Sequence, residues 1–423
     1  MKKARALSIP RHLPVLREVG MPMKQQPEDL AILGGRPAFT DPLHVGCPNI
    51  GDKQRLFARL DGMLERRRFT NDGPLVREFE ERLAKRLGVR HCLAVCNCTA
   101  GLEIAIRAAG LTGEVIVPSF TFVATAHALM WMGLTPVFAD VDRDTHTLDP
   151  KSVERLIGPR TAGILGVHLW GRAFDADELS DLAKRHGLVL MFDAAHAFGC
   201  TYRGIPVGRL GLATVFSFHA TKILNSLEGG AITTDDDDFA AKVRLLRNFG
   251  FAGYDRVVSL GTNGKMSEAA AAMGLTSLES FDDFVTVNRR NHGLYARALA
   301  DIPGVRLLAY DGAEENNFHY VVLEIRAAEA GLTRDQLHAI LWAENILTRR
   351  YFYPGCHRME PYRSIFPDAG RELPATEDLV RSVLCLPTGA AMHTGDIATI
   401  AAIIRLATEQ SAEIVPRLTA TTR

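Results

Sequence analysis

The sequence has no surplus of charge of either sign: Lys and Arg number 49, as do Asp and Glu, for a formal net charge of zero. Without a basic stripe, the electrostatic term that drives binding to nucleic acid is missing, so nucleic acid is not an expected partner. Long apolar runs are missing too. No segment is long enough to span a bilayer, and residues 1–14, although basic at the start, lack the apolar stretch of a secretory signal; the expectation is a cytoplasmic protein without membrane contact. Cysteine is sparse: seven in 423 residues, an odd number that fits free thiols in a reducing compartment better than a disulfide framework. Cys92, Cys96 and Cys98 stand beside His91, but no second cluster completes a zinc set, and no metal is expected. Internal repeats and low-complexity tracts are absent, and the short acidic run 235–238 reads as a solvated loop.

What is present is a large apolar fraction, 47%, enough for a sizeable core in roughly two or three domains. Residues 1–40 carry no strong periodicity and read as an N-terminal arm. From about Pro74 strand and helix alternate: a helix over 74–87, strands at 91–95, 115–117, 137–139, 162–168 and 188–192, and helices near 99–109, from 124, from 150 and over 177–186. Short apolar runs separated by amphipathic helices predict an α/β fold, with a large mixed, mostly parallel sheet covered on both faces over residues 41–264. Beyond 264 the alternation loosens into long helices (267–279, 281–299), strand-like 305–309 and 320–325, and helices at 334–344 and 397–410. This predicts a smaller α+β C-terminal domain over 265–423.

Within 215–231 a single lysine, Lys222, sits in a stretch otherwise built for burial. Desolvation lowers a lysine's pKa and makes its amine a nucleophile toward carbonyls, so Lys222 is a Schiff-base candidate. Asp193 ends the apolar run 188–192 and begins Asp-Ala-Ala-His-Ala-Phe-Gly; at a strand end its charge requires a cation, and a protonated pyridine nitrogen would serve. A Schiff-base lysine with such an aspartate is the protein signature of pyridoxal phosphate. A phosphate seat is available at 97–101, between a strand and a helix, where Thr99 is equally a plain N-cap. Ser217 adds a hydroxyl five residues before Lys222. An aromatic for ring stacking is available at Phe122, inside Pro-Ser-Phe-Thr-Phe.

These segments, together with Val-Pro-Ser-Phe-Thr-Phe-Val-Ala-Thr (117–125), Thr-Pro-Val-Phe-x-Asp-Val-Asp (135–142), Val-His-Leu-Trp-Gly (167–171), Ser-Phe-His-Ala-Thr-Lys (217–222), Glu-Gly-Gly (228–230) and Arg-Asn-Phe-Gly (247–250), resemble the DegT/DnrJ/EryC1/StrS sugar aminotransferases. The resemblance runs from about Pro37 to Pro387. It implies a fold type I, aspartate-aminotransferase-like enzyme working as a homodimer with shared active sites. By motif position, Lys222 would carry the cofactor, Asp193 would pair with the pyridine nitrogen and His196 would lie near the ring hydroxyl. Thr99, Ala100 and Ser217 would hold the phosphate, Phe122 would stack on the ring, and Asn263 would reach the phosphate from the partner subunit. Cys98 stands where the family usually has glycine.

The implied reaction moves an amino group from L-glutamate to a nucleotide-linked keto sugar, with Lys222 carrying protons in both half-reactions. Ser-Phe-His before the lysine resembles members acting at C4 of the sugar, and the 349–358 stretch resembles enzymes that make dTDP-4-amino-4,6-dideoxyglucose for natural-product glycosides. His219, Tyr353, His357 and Arg358 are the substrate-face candidates. Open alternatives are a 3-aminotransferase acting on a 3-keto sugar nucleotide and a non-enzymatic regulatory member of the fold. A dehydratase relative would carry His in place of Lys222, and a nicotinamide-linked enzyme would need Gly-x-Gly-x-x-Gly, which the turn 96–101 lacks.

Overall fold

The computed structural model describes residues 24–173 and 176–421; the basic opening stretch and the first part of the expected arm lie outside the described residues. Seven strands build the main sheet: β1 (His91–Val95), β2 (Glu114–Pro118), β3 (Thr135–Ala139), β4 (Thr161–Val167), β5 (Val189–Asp193), β6 (Ala213–Ser217) and β7 (Gly230–Thr234). Their spatial order is β1-β7-β6-β5-β4-β2-β3. Six run parallel, and β7 is antiparallel to both its neighbours.

The strands are apolar on both faces because both faces are covered. In β5, Leu190 and Phe192 pack with the helices Pro150–Leu156 and Asp177–His186, while Met191 on the other face packs with Cys98–Ala108 and Val123–Trp131. Cys92 and Ala94 of β1 share a third cluster with Phe79 and Leu83 of the helix Pro74–Leu87 and with Leu275 of Glu268–Glu279. The period of two along each strand therefore sorts its side chains into separate cores. The helix Pro74–Leu87 opens with proline, whose missing N–H costs nothing there. The buried Glu268 carboxylate accepts the next two N–H groups, Leu75 at 3.0 Å and Val76 at 2.8 Å.

Two expectations are corrected. The acidic run 235–238 starts a helix: Asp236 caps Asp237–Arg247 by accepting the Phe239 N–H at 2.7 Å, and Asp237 pairs with Arg90. Carboxylates are favoured there by the helix dipole and by the free first-turn N–H groups. Regular structure also begins before Pro74, with the helix Lys53–Arg66 capped by Asp52.

The C-terminal part is α+β. An antiparallel sheet of Val305–Leu307, Val321–Ile325 and Val383–Leu386 packs on Phe281–Leu299, Arg334–Ala343 and Thr394–Glu409. Its core also takes in Leu30 and Leu43 from the start of the described chain. Leu43–His44 pairs in parallel with Ile346–Leu347, and Glu344 accepts the Ala31 and Ala38 N–H groups and binds Lys24. All seven cysteines are free thiols, and no helix among the described residues is long and apolar enough to cross a membrane.

Candidate active site

Because six strands are parallel, their carboxyl ends lie along one edge of the sheet, where α/β folds gather ligands. Asp193 is the last residue of β5, opposite Val167 and Val215 in register, and Ser217 is the last residue of β6. β7 enters from the same edge at Gly230, between Val95 and Ser217. A Cβ on Gly230 would meet the Phe216 carbonyl at 2.7 Å and the Cys98 nitrogen at 2.9 Å, so glycine is what lets β7 pass under the β1 turn.

Asp193 is buried and accepts two hydrogen bonds, from the Thr125 hydroxyl at 2.9 Å and the Ala195 N–H at 3.0 Å. Burial raises its pKa, against the opposing effect of those donors and of Lys222. Lys222 lies in the turn after β6, its N–H donating to the His219 carbonyl at 2.8 Å. Burial of its amine pulls the pKa down to about 8, while Cys98 and Asp193 pull the other way. A neutral fraction on the order of a tenth therefore exists at pH 7, far above that of an ordinary lysine. The Lys222 charge in turn acts on two buried histidines, His196 and His319, both held well below the usual range first by burial. His196 Nε2 meets the Tyr320 hydroxyl at 3.3 Å, and Asn317 donates to the His196 carbonyl at 2.9 Å. The Nε2 atom of His319 is buried without a hydrogen-bond partner.

The turn after β1 leads into Cys98–Ala108, and its cap is Asn97, whose side chain accepts the Ala100 N–H at 2.8 Å. The plain-cap alternative for Thr99 thus falls away: Asn97 does that work, and the Thr99 hydroxyl is not needed for it. The Ala100 N–H is engaged by the cap, so the first-turn amides left to face an anion are those of Cys98 and Thr99. The Cys98 thiol is buried beside Asp193 and Lys222, and burial drives its pKa far up.

Phe122 immediately precedes the helix Val123–Trp131, one turn from Thr125. It is 58% exposed, an open aromatic face at the strand edge. His219 is part-buried, its Nδ1 accepting the Thr221 N–H at 3.2 Å and its Nε2 lying 3.5 Å from Glu228. Asn263 lies on an exposed segment beside the β1 turn, with its side-chain carbonyl held by Lys265 at 2.7 Å. Tyr353 is half-exposed and lines a cavity with Phe122.

His357 differs from the expectation of a substrate-facing group. His357 is buried with both ring nitrogens engaged, Nδ1 by Ser119 at 2.7 Å and Nε2 by Glu377 at 2.8 Å, and Arg358 binds the same carboxylate at 2.5 Å. They brace the segment that carries Tyr353. Sequence reasoning missed Thr125, Tyr320, Asn317 and His319. Thr125 had a local signal, one helical turn after Phe122; the other three arrive from about 120 residues away and had none.

A lysine with a lowered pKa, a buried carboxylate, open helix amides and an exposed aromatic share one edge. Together they suit a phosphorylated aromatic aldehyde: amine for carbonyl, carboxylate for ring nitrogen, amides for phosphate. Among the described residues no three His, Cys, Asp or Glu side chains converge as metal ligands.

Residues 51–405 match the model of the DegT/DnrJ/EryC1/StrS aminotransferase family. A dTDP-4-amino-4,6-dideoxy-D-glucose transaminase of Shigella dysenteriae is 35% identical, over 86% of this chain and 98% of that protein. A GDP-perosamine synthase of Caulobacter vibrioides is 39% identical, over 78% and 90%. Among solved structures, DesI in the presence of its TDP-sugar product superposes with a TM-score of 0.88 at 53% identity, covering 92% of this chain and 99% of that one.

Proposed function

The chain belongs to the DegT/DnrJ/EryC1/StrS aminotransferase family, and on that premise we propose that it aminates C4 of dTDP-4-keto-6-deoxy-D-glucose with L-glutamate as donor and pyridoxal phosphate as cofactor. The observation that carries the reading is Lys222: a partly buried amine with a pKa near 8, beside Asp193 at the carboxyl edge of the sheet. The cofactor, when bound, supplies an electron sink for the carbanion formed at the donor's Cα.

The chain's residues divide the remaining work. Lys222 Nζ would hold the cofactor between turnovers and, as a free amine, would take the Cα proton of the donor and supply a proton at C4 of the acceptor. A pKa near 8 suits a group that must both accept and release a proton near neutrality. Asp193, fixed by Thr125 and Ala195, would hold the proton on the ring nitrogen. Its burial is offset in the loaded enzyme by that cation. His196, kept neutral by burial, would serve the ring hydroxyl. Thr99, Ser217 and the Cys98 amide would hold the phosphate, with Ala100 acting as part of the Asn97 cap. Phe122 would cover the ring face.

The assembly is a homodimer in which Asn263 of each subunit serves the other's phosphate site. The exposed apolar side chains Phe249, Phe251, Tyr254, Val258 and Leu260 precede Asn263 on the same segment and favour burial against a second copy.

The test is spectroscopic, on the protein reconstituted with pyridoxal phosphate. The visible absorption band should fall on adding L-glutamate and return on adding dTDP-4-keto-6-deoxyglucose, with product NMR placing the amine at C4. A band that falls but does not return would overturn the acceptor; a band that never forms would overturn the enzyme.

A further inference from the structure

The segment 317–320 of the C-terminal part grips His196 at both ends. Asn317 Nδ2 donates to the His196 carbonyl at 2.9 Å and to the Phe198 carbonyl at 3.0 Å, and the Tyr320 hydroxyl lies 3.3 Å from His196 Nε2. The other ring nitrogen, Nδ1, faces the Trp170 N–H at 3.5 Å. A backbone N–H can only donate, so Nδ1 carries the lone pair, and a neutral imidazole then bears its proton on Nε2. Trp170 presents that N–H from a left-handed conformation, with φ at 66° and its side chain fully buried, which a bulky residue rarely adopts.

That tautomer decides what Tyr320 can do. The Nε2–H donates to the phenol oxygen, so the phenol's own hydrogen is not spent on His196. Among the described residues the Tyr320 oxygen has no other hydrogen-bond partner. The side chain is buried and cannot swing to water: its ring makes T-shaped contacts with Trp170 at 5.7 Å and Tyr351 at 5.8 Å, and the Tyr310 hydroxyl bridges the Trp170 and Tyr320 carbonyls at 2.7 Å each. Burial pushes the phenol well above its usual range, so the hydrogen stays in place at any working pH. Arg349, the charged group that acts on Tyr320, is a cation and offers no acceptor. A fixed, buried O–H without an acceptor costs free energy unless a ligand supplies one.

Ring chemistry names the acceptor. In pyridoxal phosphate the ring oxygen lies between the aldehyde, which Lys222 would meet, and the ring nitrogen, which Asp193 would meet. A residue serving that oxygen must therefore stand near both, and His196 is three residues after Asp193 and feels the Lys222 charge. We propose that Tyr320 donates its phenol hydrogen to the ring oxygen of the cofactor, and that His196 acts on that oxygen through Tyr320. The inference rests on the transaminase reading and adds to it a cofactor contact supplied by the C-terminal part.

The experiment titrates the visible absorption band of the pyridoxal phosphate-loaded enzyme against pH for the parent, Tyr320→Phe, His196→Leu and the double variant, and measures the cofactor dissociation constant of each. Without its donor the ring oxygen is a stronger base and holds the proton on the neighbouring lysine-derived nitrogen more tightly. The midpoint of the band should therefore rise in Tyr320→Phe, by about half a pH unit or more, and cofactor affinity should fall by about threefold to tenfold. His196→Leu should shift the midpoint in the same direction, and the double variant no further than the larger single shift, because the two groups act in series. The cofactor-free Tyr320→Phe protein should melt close to the parent. An unchanged or lowered midpoint in Tyr320→Phe overturns the contact, and a lowered melting temperature beside it would assign Tyr320 to the core alone. Shifts that add in the double variant also overturn it, since they would put His196 and Tyr320 on separate atoms. A parent that forms no band overturns the contact together with the cofactor reading. If the shifts appear but the keto sugar fails to restore the band, the contact stands and the acceptor reading fails.

Discussion

Two buried polar clusters in this chain face the same desolvation penalty and resolve it oppositely. In the first, Glu324 meets His146 at 3.0 Å and Arg306 at 2.5 Å, and His146 uses its other nitrogen to accept the Trp170 indole N–H at 3.2 Å. Burial works to raise the Glu324 pKa, but those partners overcome it and hold the carboxyl at about 2. In the second, Asp193 also accepts two hydrogen bonds and feels the Lys222 amine, yet burial wins and its pKa rises. Lys222 is pulled down rather than up, and His319 keeps a bare ring nitrogen. In the first cluster the carboxylate is matched by a histidine and a guanidinium, with only Arg306 Nε left unbonded; in the second the carboxylate, the amine and His319 all await a partner. Under-compensation of this kind marks a place kept for a ligand, whereas burial alone does not.

The contrast can be broken by substitution. The largest effect should come from Lys222→Ala: transamination should fall by at least about 10³-fold, while the melting temperature of the cofactor-free protein stays the same or rises, since a costly buried amine is gone. A large drop in melting temperature would make Lys222 structural. Glu324→Ala should do the reverse, costing about 2 kcal/mol of stability by leaving buried His146 without its carboxylate, while Arg306 keeps Asp144, with kcat unchanged; thermal melts and steady-state assays together would check it. Because the folded pKa of Glu324 is depressed, its contribution is fully present above about pH 4.5 and is lost as the pH falls toward about 2. The variant should therefore show a shallower acid loss of stability than the parent over that window. Asp193→Asn should slow turnover by about 10²-fold without lowering cofactor-free stability. The smallest effect is expected at His319. His319→Leu should leave the cofactor-free protein equally or more stable, because an unsatisfied buried nitrogen is removed, and should lower turnover by about tenfold or less; a clear loss of stability would show that His319 has a structural partner.

Local chemistry made the main sheet and the anchor residues legible. Strand β5 is almost wholly apolar and ends in Asp193, so that residue could be placed at the strand edge, while Lys222 was joined to it by the chemistry the two share and not by a predicted strand. Strand β7 was harder: Gly230–Thr234 carries no alternation to betray it, because it is buried on both sides between β1 and β6. His357 became a substrate-face candidate through the resemblance of the 349–358 stretch, and chain order could not place it; only the chain path shows Ser119 and Glu377 occupying its two nitrogens. Tyr320 and Asn317 reach His196 through contacts 124 and 121 residues long, which no local pattern encodes. What stayed hidden was long-range pairing, not residue chemistry.

The docking of residues 24–44 onto the C-terminal core has a consequence for synthesis. Ala31 bonds to Glu344 across 313 residues, and the strand at Leu43 cannot form until Ile346 exists. At the usual rates of translation, that early segment waits on the order of tens of seconds for its site to emerge. Meanwhile Leu30 and Leu43 stay uncovered on the nascent chain, and residues 24–44 can dock only after residues 344–347 have been made.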